Sequence, residues 1–259
     1  MKRIVISTLS LAMLMFVACK KDPEKSKDVF NGQEVNMGNG KAWAWVKLDA
    51  QQKPQALGIS ITPSALVNLP QGGEGHAHES AFTLKLPSQK GLTPFDHVVV
   101  NWNPNGHEPL NVYGAAHFDF HYYMESEAYV DAIPTYAQAP ADFDNAPAAD
   151  YFHPDYFSPP GGEPKMGRHW VDITSPELNP QNPAPFTETF IVGSFKGKVL
   201  FYEPMITKTF LEAQNNFEKA IKVPAKFQKE GYYPTKYRIF KTGKTIDIIL
   251  EGFVFRQKS

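Results

Sequence analysis

The hydrophobic pattern along this chain is mostly that of β-strands. Residues 42–48 (AWAWVKL) alternate, with Trp43, Trp45 and Lys47 on one side. Residues 56–62 (ALGISIT), 81–86 (AFTLKL) and 95–102 (FDHVVVNW) show the same period or short β-branched runs. Further strand patterns lie at 117–124, 170–173, 188–194, 198–202, 237–240 and 245–255. Turn signals separate several of them: Asn103-Pro104-Asn105-Gly106, the hairpin stretch 193–198 (GSFKGK) and Thr242-Gly243-Lys244. One segment reads as a good helix. Thr209 and Glu212 form a capping box, Phe210, Ala213, Phe217, Ala220 and Ile221 keep helical spacing, and Pro224 follows. Residues 125–133 suggest a second, shorter helix.

Strands do not alternate with helices, and no repeat is present. The expected fold is all-β, mainly an antiparallel sandwich or barrel, with one covering helix near residues 209–222. Residues 134–164 are rich in Pro, Ala, Asp and aromatics without a sustained period. This reads as a long excursion packed by its own rings, and loops of that length in compact domains are usually functional when ordered.

The N-terminus changes the picture of where such a domain sits. Lys2 and Arg3 precede an apolar run ending in Val17-Ala18-Cys19, the pattern of a bacterial lipoprotein signal peptide with Cys19 as the lipidated residue. An ordinary secretory signal with an incidental cysteine is the alternative. The expected organisation is a signal peptide at 1–19, a charged tether at 20–34 and a single β-rich domain at 35–259. The expected location is the cell envelope, lipid-anchored to the outer membrane and facing the periplasm or the surface. Cys19 is the only cysteine, so the mature chain has no disulfide and relies on a packed core. A net charge of −1 makes nucleic acid a poor partner, whereas 13% aromatic residues and 22 prolines fit a β protein with stiff loops. Partners are then the membrane through the lipid and a small-molecule ligand; a homo-oligomer is left open.

The candidate chemistry is concentrated in His117-Phe118-Asp119-Phe120-His121-Tyr122-Tyr123. As a strand, this puts His117, Asp119 and His121 on one face and Phe118, Phe120 and Tyr122 on the other. Three titratable groups on a half-buried face are costly unless satisfied, and a divalent metal satisfies them. Partners from elsewhere are His169, which opens a strand, and Glu203, which ends one before Pro204. The expected ligands are His117, His121, His169 and Glu203, a nitrogen/oxygen set suited first to zinc, with iron or manganese as alternatives. Asp119, His107 and His97 are expected as alternative ligands or as groups that orient one. For all of these the competing reading is structural. His76 and His78 sit in the glycine-rich stretch 71–79 (QGGEGHAHE), and His153 sits among aromatics and prolines; none of the three is expected in the site. No nucleophile, phosphate-loop or His-Glu-x-x-His motif is present, so metal-assisted chemistry is the remaining enzymatic route and no catalytic residue is assigned.

Several motifs follow one another in order: Phe95-Asp96-His97, Trp102-Asn103-Pro104-Asn105-Gly106-His107-Glu108-Pro109, the His117–Tyr123 strand, Met166-Gly167-Arg168-His169-Trp170 and Glu203-Pro204-Met205. This series resembles an uncharacterised family of exported bacterial proteins, typified by a Thermus protein under control of an extracytoplasmic sigma-factor system. The resemblance implies an exported β domain and brings no activity with it. Cupin barrels also combine two strand histidines with a glutamate and a third histidine. Here the order differs and the cupin glycine pattern is missing, so that likeness concerns chemistry alone.

Overall fold

A computed structural model describes residues 28–71 and 80–259. The signal peptide, Cys19 and the first part of the tether lie outside the described residues, as do His76 and His78. The described chain forms two large antiparallel sheets. The first contains β1 (Val29–Asn31), β2 (Val35–Met37), β3 (Gly40–Leu48), β4 (Pro54–Ile61), β12 (Asn216–Ala220), β14 (Lys236–Lys241) and β15 (Ile246–Glu251). Its order is β1-β3-β4-β15-β14-β12, with β2 also on β3. The second contains β5 (Ala81–Lys85), β6 (His97–Asn103), β7 (His117–Tyr123), β8 (Tyr156–Phe157), β9 (Arg168–Asp172), β10 (Glu188–Phe195) and β11 (Lys198–Thr207). Its order is β5-β6-β7-β11-β10-β9-β8. A small ribbon pairs β13 (Gly231–Tyr233) with β16 (Val254–Arg256). Four short helices complete the fold: α1 (Leu110–Tyr113), α2 (Glu127–Asp131), α3 (Pro140–Asp144) and α4 (Lys208–Ala213). The architecture is thus a sandwich, and neither large sheet closes into a barrel.

The core lies between the sheets. Alternate residues Ala42, Ala44, Val46 and Leu48 of β3 face it, as do Leu57, Ile59 and Ile61 of β4 and Ile246, Ile248 and Leu250 of β15. The second sheet answers with Val98, Val100 and Trp102, then Phe118, Phe120 and Tyr122, then Phe190 and Val192. Phe118, Phe120 and Tyr122 are fully buried, a contribution of roughly 1.5–3 kcal/mol for each apolar side chain. The Tyr122 hydroxyl donates to the Ile248 carbonyl at 3.0 Å and so ties one sheet to the other. Trp43 and Trp45 lie on the outward side of β3. The Trp45 indole covers Gly58 and donates to Ser60 Oγ at 2.9 Å.

Two expectations are corrected. The tether was expected to reach residue 34, yet Val29–Asn31 already pairs with Trp45–Lys47 of β3. The 209–222 helix is the second. Thr207, not Thr209, caps it, and the helix stops at Ala213. Residues 216–220 form the edge strand β12, pairing with β14, with Phe217 and Lys219 partly buried and their neighbours exposed. Phe210 and Phe217 meet ring to ring at 5.2 Å across the corner. Spacing that suits a helix here serves a helix-to-strand turn, because sheet pairing outweighs local propensity. The 125–133 helix is present as α2, and Lys196-Gly197, both at positive φ, make the β10–β11 hairpin turn.

Candidate metal centre

Both faces of β7 are buried, and every residue from His117 to Tyr123 is covered. Its outer face carries His117, Asp119, His121 and Tyr123. The chain between β6 and β7, the excursion after β7 and the β9–β10 connection cover this face. Tyr113, Phe186, Ile191 and Met205 form one apolar cluster over it, and Tyr123, Phe143, Met166, Phe195 and Phe201 belong to a second. The polar groups lie between these two clusters.

Strand geometry divides those groups. His117 and His121 share a face but are four residues apart, about 13 Å along a strand. One ion does not span that distance, so the expected single set of His117, His121, His169 and Glu203 is corrected to two. In the first set, His107, His117 and Asp119 bring one donor atom each within 4.8 Å of one another. In the second, His121, His169 and Glu203 do the same.

The first set is built from β7 and the turn after β6. His117 Nε2 lies 3.1 Å from Asp119 Oδ1, and His107 Nε2 lies 3.7 Å from Asp119 Oδ2. The Asn103 amide donates to Asp119 Oδ2 at 2.7 Å. His117 Nδ1–H donates to the Ala115 carbonyl at 2.6 Å, and His107 Nδ1–H to the Glu108 carbonyl at 2.9 Å. Phe186 packs edge-on against the His117 ring at 5.4 Å. Burial pulls the His117 imidazole down, but the adjacent Asp119 carboxylate and the Ala115 carbonyl leave it raised.

The second set comes from three strands. The flanking pairs Tyr122–Tyr202 and Asp119–Met205 place His121 of β7 opposite Glu203 of β11. His169 of β9 pairs with Gly193 of β10, beside Glu203's own partner Ile191. His121 Nε2 is 3.5 Å from Glu203 Oε1, and His169 Nε2 is 3.9 Å from Glu203 Oε2. Glu203 is 1% exposed, so burial lifts its carboxyl well above the ordinary range, and the Asp119 charge pushes the same way. Phe201 holds both rings, at 4.7 Å from His121 and 5.4 Å from His169. Gly193 leaves room for it: a Cβ there would lie 2.1 Å from the Phe201 ring. Pro204 lacks an amide hydrogen and sits where the β7–β11 pairing is interrupted.

Among the described residues, the other two histidines, His97 and His153, fall outside both sets. His97 is buried, stacks on Tyr123 at 5.0 Å and has Asp96 Oδ1 3.2 Å from its Nδ1; burial lowers its pKa. His153 lies partly exposed beside Asp155. His107, expected as an alternative ligand or an orienting group, is tucked against Asp119 with 10% of its side chain exposed. Asn103 was missed. The available signal was a second asparagine after Asn101 on the His97 face of the strand, directly before the turn that carries His107.

A cavity of about 400 Å³ reaches both sets, with His107 of the first and His169 and Glu203 of the second among its lining residues. Met205, Ile191 and Tyr113 supply apolar walls, and Pro159–Glu163 of the excursion forms a rim. Each set offers three donors among the described residues, and they suit a divalent ion with mixed nitrogen and oxygen preference.

Fold and site together define an antiparallel β-sandwich with two buried His/His/carboxylate sets on the outer face of one sheet. Residues 49–102 match the family model described as TTHB210-like, hypothetical protein TTHB210. This is consistent with the uncharacterised family, typified by a Thermus protein, that the ordered motifs resemble. The matched segment runs from the end of β3 to Trp102 in β6 and stops just before Asn103. No curated protein and no solved structure matches the chain.

Proposed function

We propose that this protein is a lipid-anchored component of the bacterial cell envelope that holds a divalent metal ion at His121, His169 and Glu203. The adjoining cavity then binds or transforms a small molecule at that ion. The observation that carries this reading is Glu203: a carboxylate buried between two histidine rings at the edge of a cavity. A buried carboxylate is held charged at little cost only by a cation or a set of donors, and a metal ion supplies the charge. Zinc is the first choice for the ion, and iron or manganese fits the same donors. The anchor rests on the Cys19 motif, which also gives the envelope location.

A second reading is a non-enzymatic envelope protein, acting in stress response, assembly or binding, with structural histidines. It is favoured by the stacking of His97 and His121 on Tyr123, at 5.0 and 5.6 Å, which gives those rings a packing role without metal. Elemental analysis separates the two. The purified full chain is expected to carry at least one equivalent of zinc, iron or manganese, and a folded His121→Ala/His169→Ala variant is expected to lose the equivalent held at the Glu203 set. No metal in the parent, even after incubation with excess zinc or manganese, leaves the structural reading. Membrane fractionation of the Cys19→Ala variant tests the anchor: release into the soluble fraction is expected, and retention would refute lipidation at Cys19.

A further inference from the structure

We propose that the outer face of the second sheet is a two-ion centre, with a second divalent ion held by His107, His117 and Asp119. The inference rests on the metal reading above and extends it to a site of different construction. A carbonyl oxygen only accepts, so the hydrogen bonds to Ala115 and Glu108 fix the proton of each ring on Nδ1. The nitrogen presented to Asp119 is therefore Nε2 in both His117 and His107. Two imidazoles converge by the same atom on the two oxygens of one carboxylate. The Asn103 amide holds that carboxylate in place. Rings locked through Nδ1, with a carboxylate oriented from behind, are how proteins prepare metal ligands. An ordinary ion pair needs one imidazolium per carboxylate, whereas this arrangement supplies two rings prepared alike.

Placement makes the two sets one centre. Asp119 and His121 are two residues apart on β7, so the sets are offset by about 7 Å along the strand. That is too far for one ion and close enough for one small ligand to reach both. His107 of the first set and His169 and Glu203 of the second line the same cavity. The six donors among the described residues are nitrogens and carboxylate oxygens, which points to zinc, manganese or iron in both positions.

The test counts ions. His107 and His169 are the least buried ligands, with 10% and 20% of their side chains exposed, and each belongs to one set. The full chain, His107→Ala, His169→Ala and the double variant are loaded with zinc or manganese, desalted and analysed for metal. The expected result is two equivalents, one, one and none. With manganese, the loaded parent is expected to show dipolar broadening of its EPR signal, absent from both single variants. Thermal unfolding in chelator checks that each variant is folded. Should His107→Ala fail that check, Asp119→Asn, which keeps the side-chain size, takes its place. A single equivalent in the parent overturns the two-ion centre whichever variant loses it. Loss in His169→Ala alone then leaves the one-ion reading standing, and loss in both variants means one shared ion. No metal in the parent overturns both readings.

Discussion

Replacing Glu203 with glutamine separates the cost of its buried charge from its use as a ligand. In the metal-free protein burial raises the Glu203 carboxyl well above its ordinary value of 4.5. The folded state therefore keeps a proton that the unfolded chain releases. A folded-state pKa above the unfolded one gives stability that is full below the unfolded pKa and lost as pH rises towards the folded pKa. The loss is about 1.4 kcal/mol for each pH unit in that window. Each such unit is worth about 3–6 °C in Tm for a domain of this size. His117, raised from 6.5, adds its own loss only above its unfolded value. Glutamine has nearly the same shape and does not titrate, so the variant's melting curve should lack that fall. The assay is calorimetric melting of both proteins in chelator, at half-unit pH steps and constant ionic strength. Added zinc should reverse the wild-type trend, because binding requires the ionised carboxylate, and should stabilise the variant less, through the His107, His117 and Asp119 set alone. Parallel pH dependences of the two proteins would show that Glu203 ionises freely in the fold and would refute the reasoning.

Gly193→Ala drives a methyl into the Phe201 ring and should cost about 1–3 kcal/mol in a urea melt. It should also weaken zinc binding, since that ring seats His121 and His169; unchanged affinity would mean the ring is only filler. Asn103→Ala frees the Asp119 carboxylate and should weaken metal binding at that set about 10–100-fold in a chelator competition, with the Glu203 set unaffected. Equal weakening at both sets would count against separate sites. Tyr122→Phe removes the bond between the sheets and should cost about 0.5–1.5 kcal/mol in denaturant unfolding. No measurable cost would mean that the Ile248 carbonyl is already satisfied by its strand ladder.

The two faces of β7 were legible in sequence because strand period is a local property. Alternation around Asp119 put the rings of Phe118, Phe120 and Tyr122 in the core and the titratable groups outside, and the structure has them there. Their grouping was not legible. Which histidine meets which carboxylate depends on β11 docking between β7 and β10, a pairing that no stretch of sequence encodes by itself. The same sheet order brings His169 to Glu203 from a strand two places away. His107 depended on a turn folding back over the strand, which turn propensity does not reveal. The mistaken helix at 216–220 has a similar cause, since Phe217 satisfies helical spacing with Phe210 and strand pairing with Ile239 equally well. The choice is made by the exposed edge of β14.

The order in which the chain reaches its ligands has a kinetic consequence. His121 is in place once β7 is paired, but His169 and Glu203 arrive only when β9, β10 and β11 have extended the sheet past it. An ion held at that set, as proposed above, would need all three strands docked, so its cage would be completed late. Interactions formed after the transition state act on unfolding more than on folding. Bound metal would then serve as a latch: refolding proceeds at nearly the metal-free rate, and the loaded protein comes apart far more slowly.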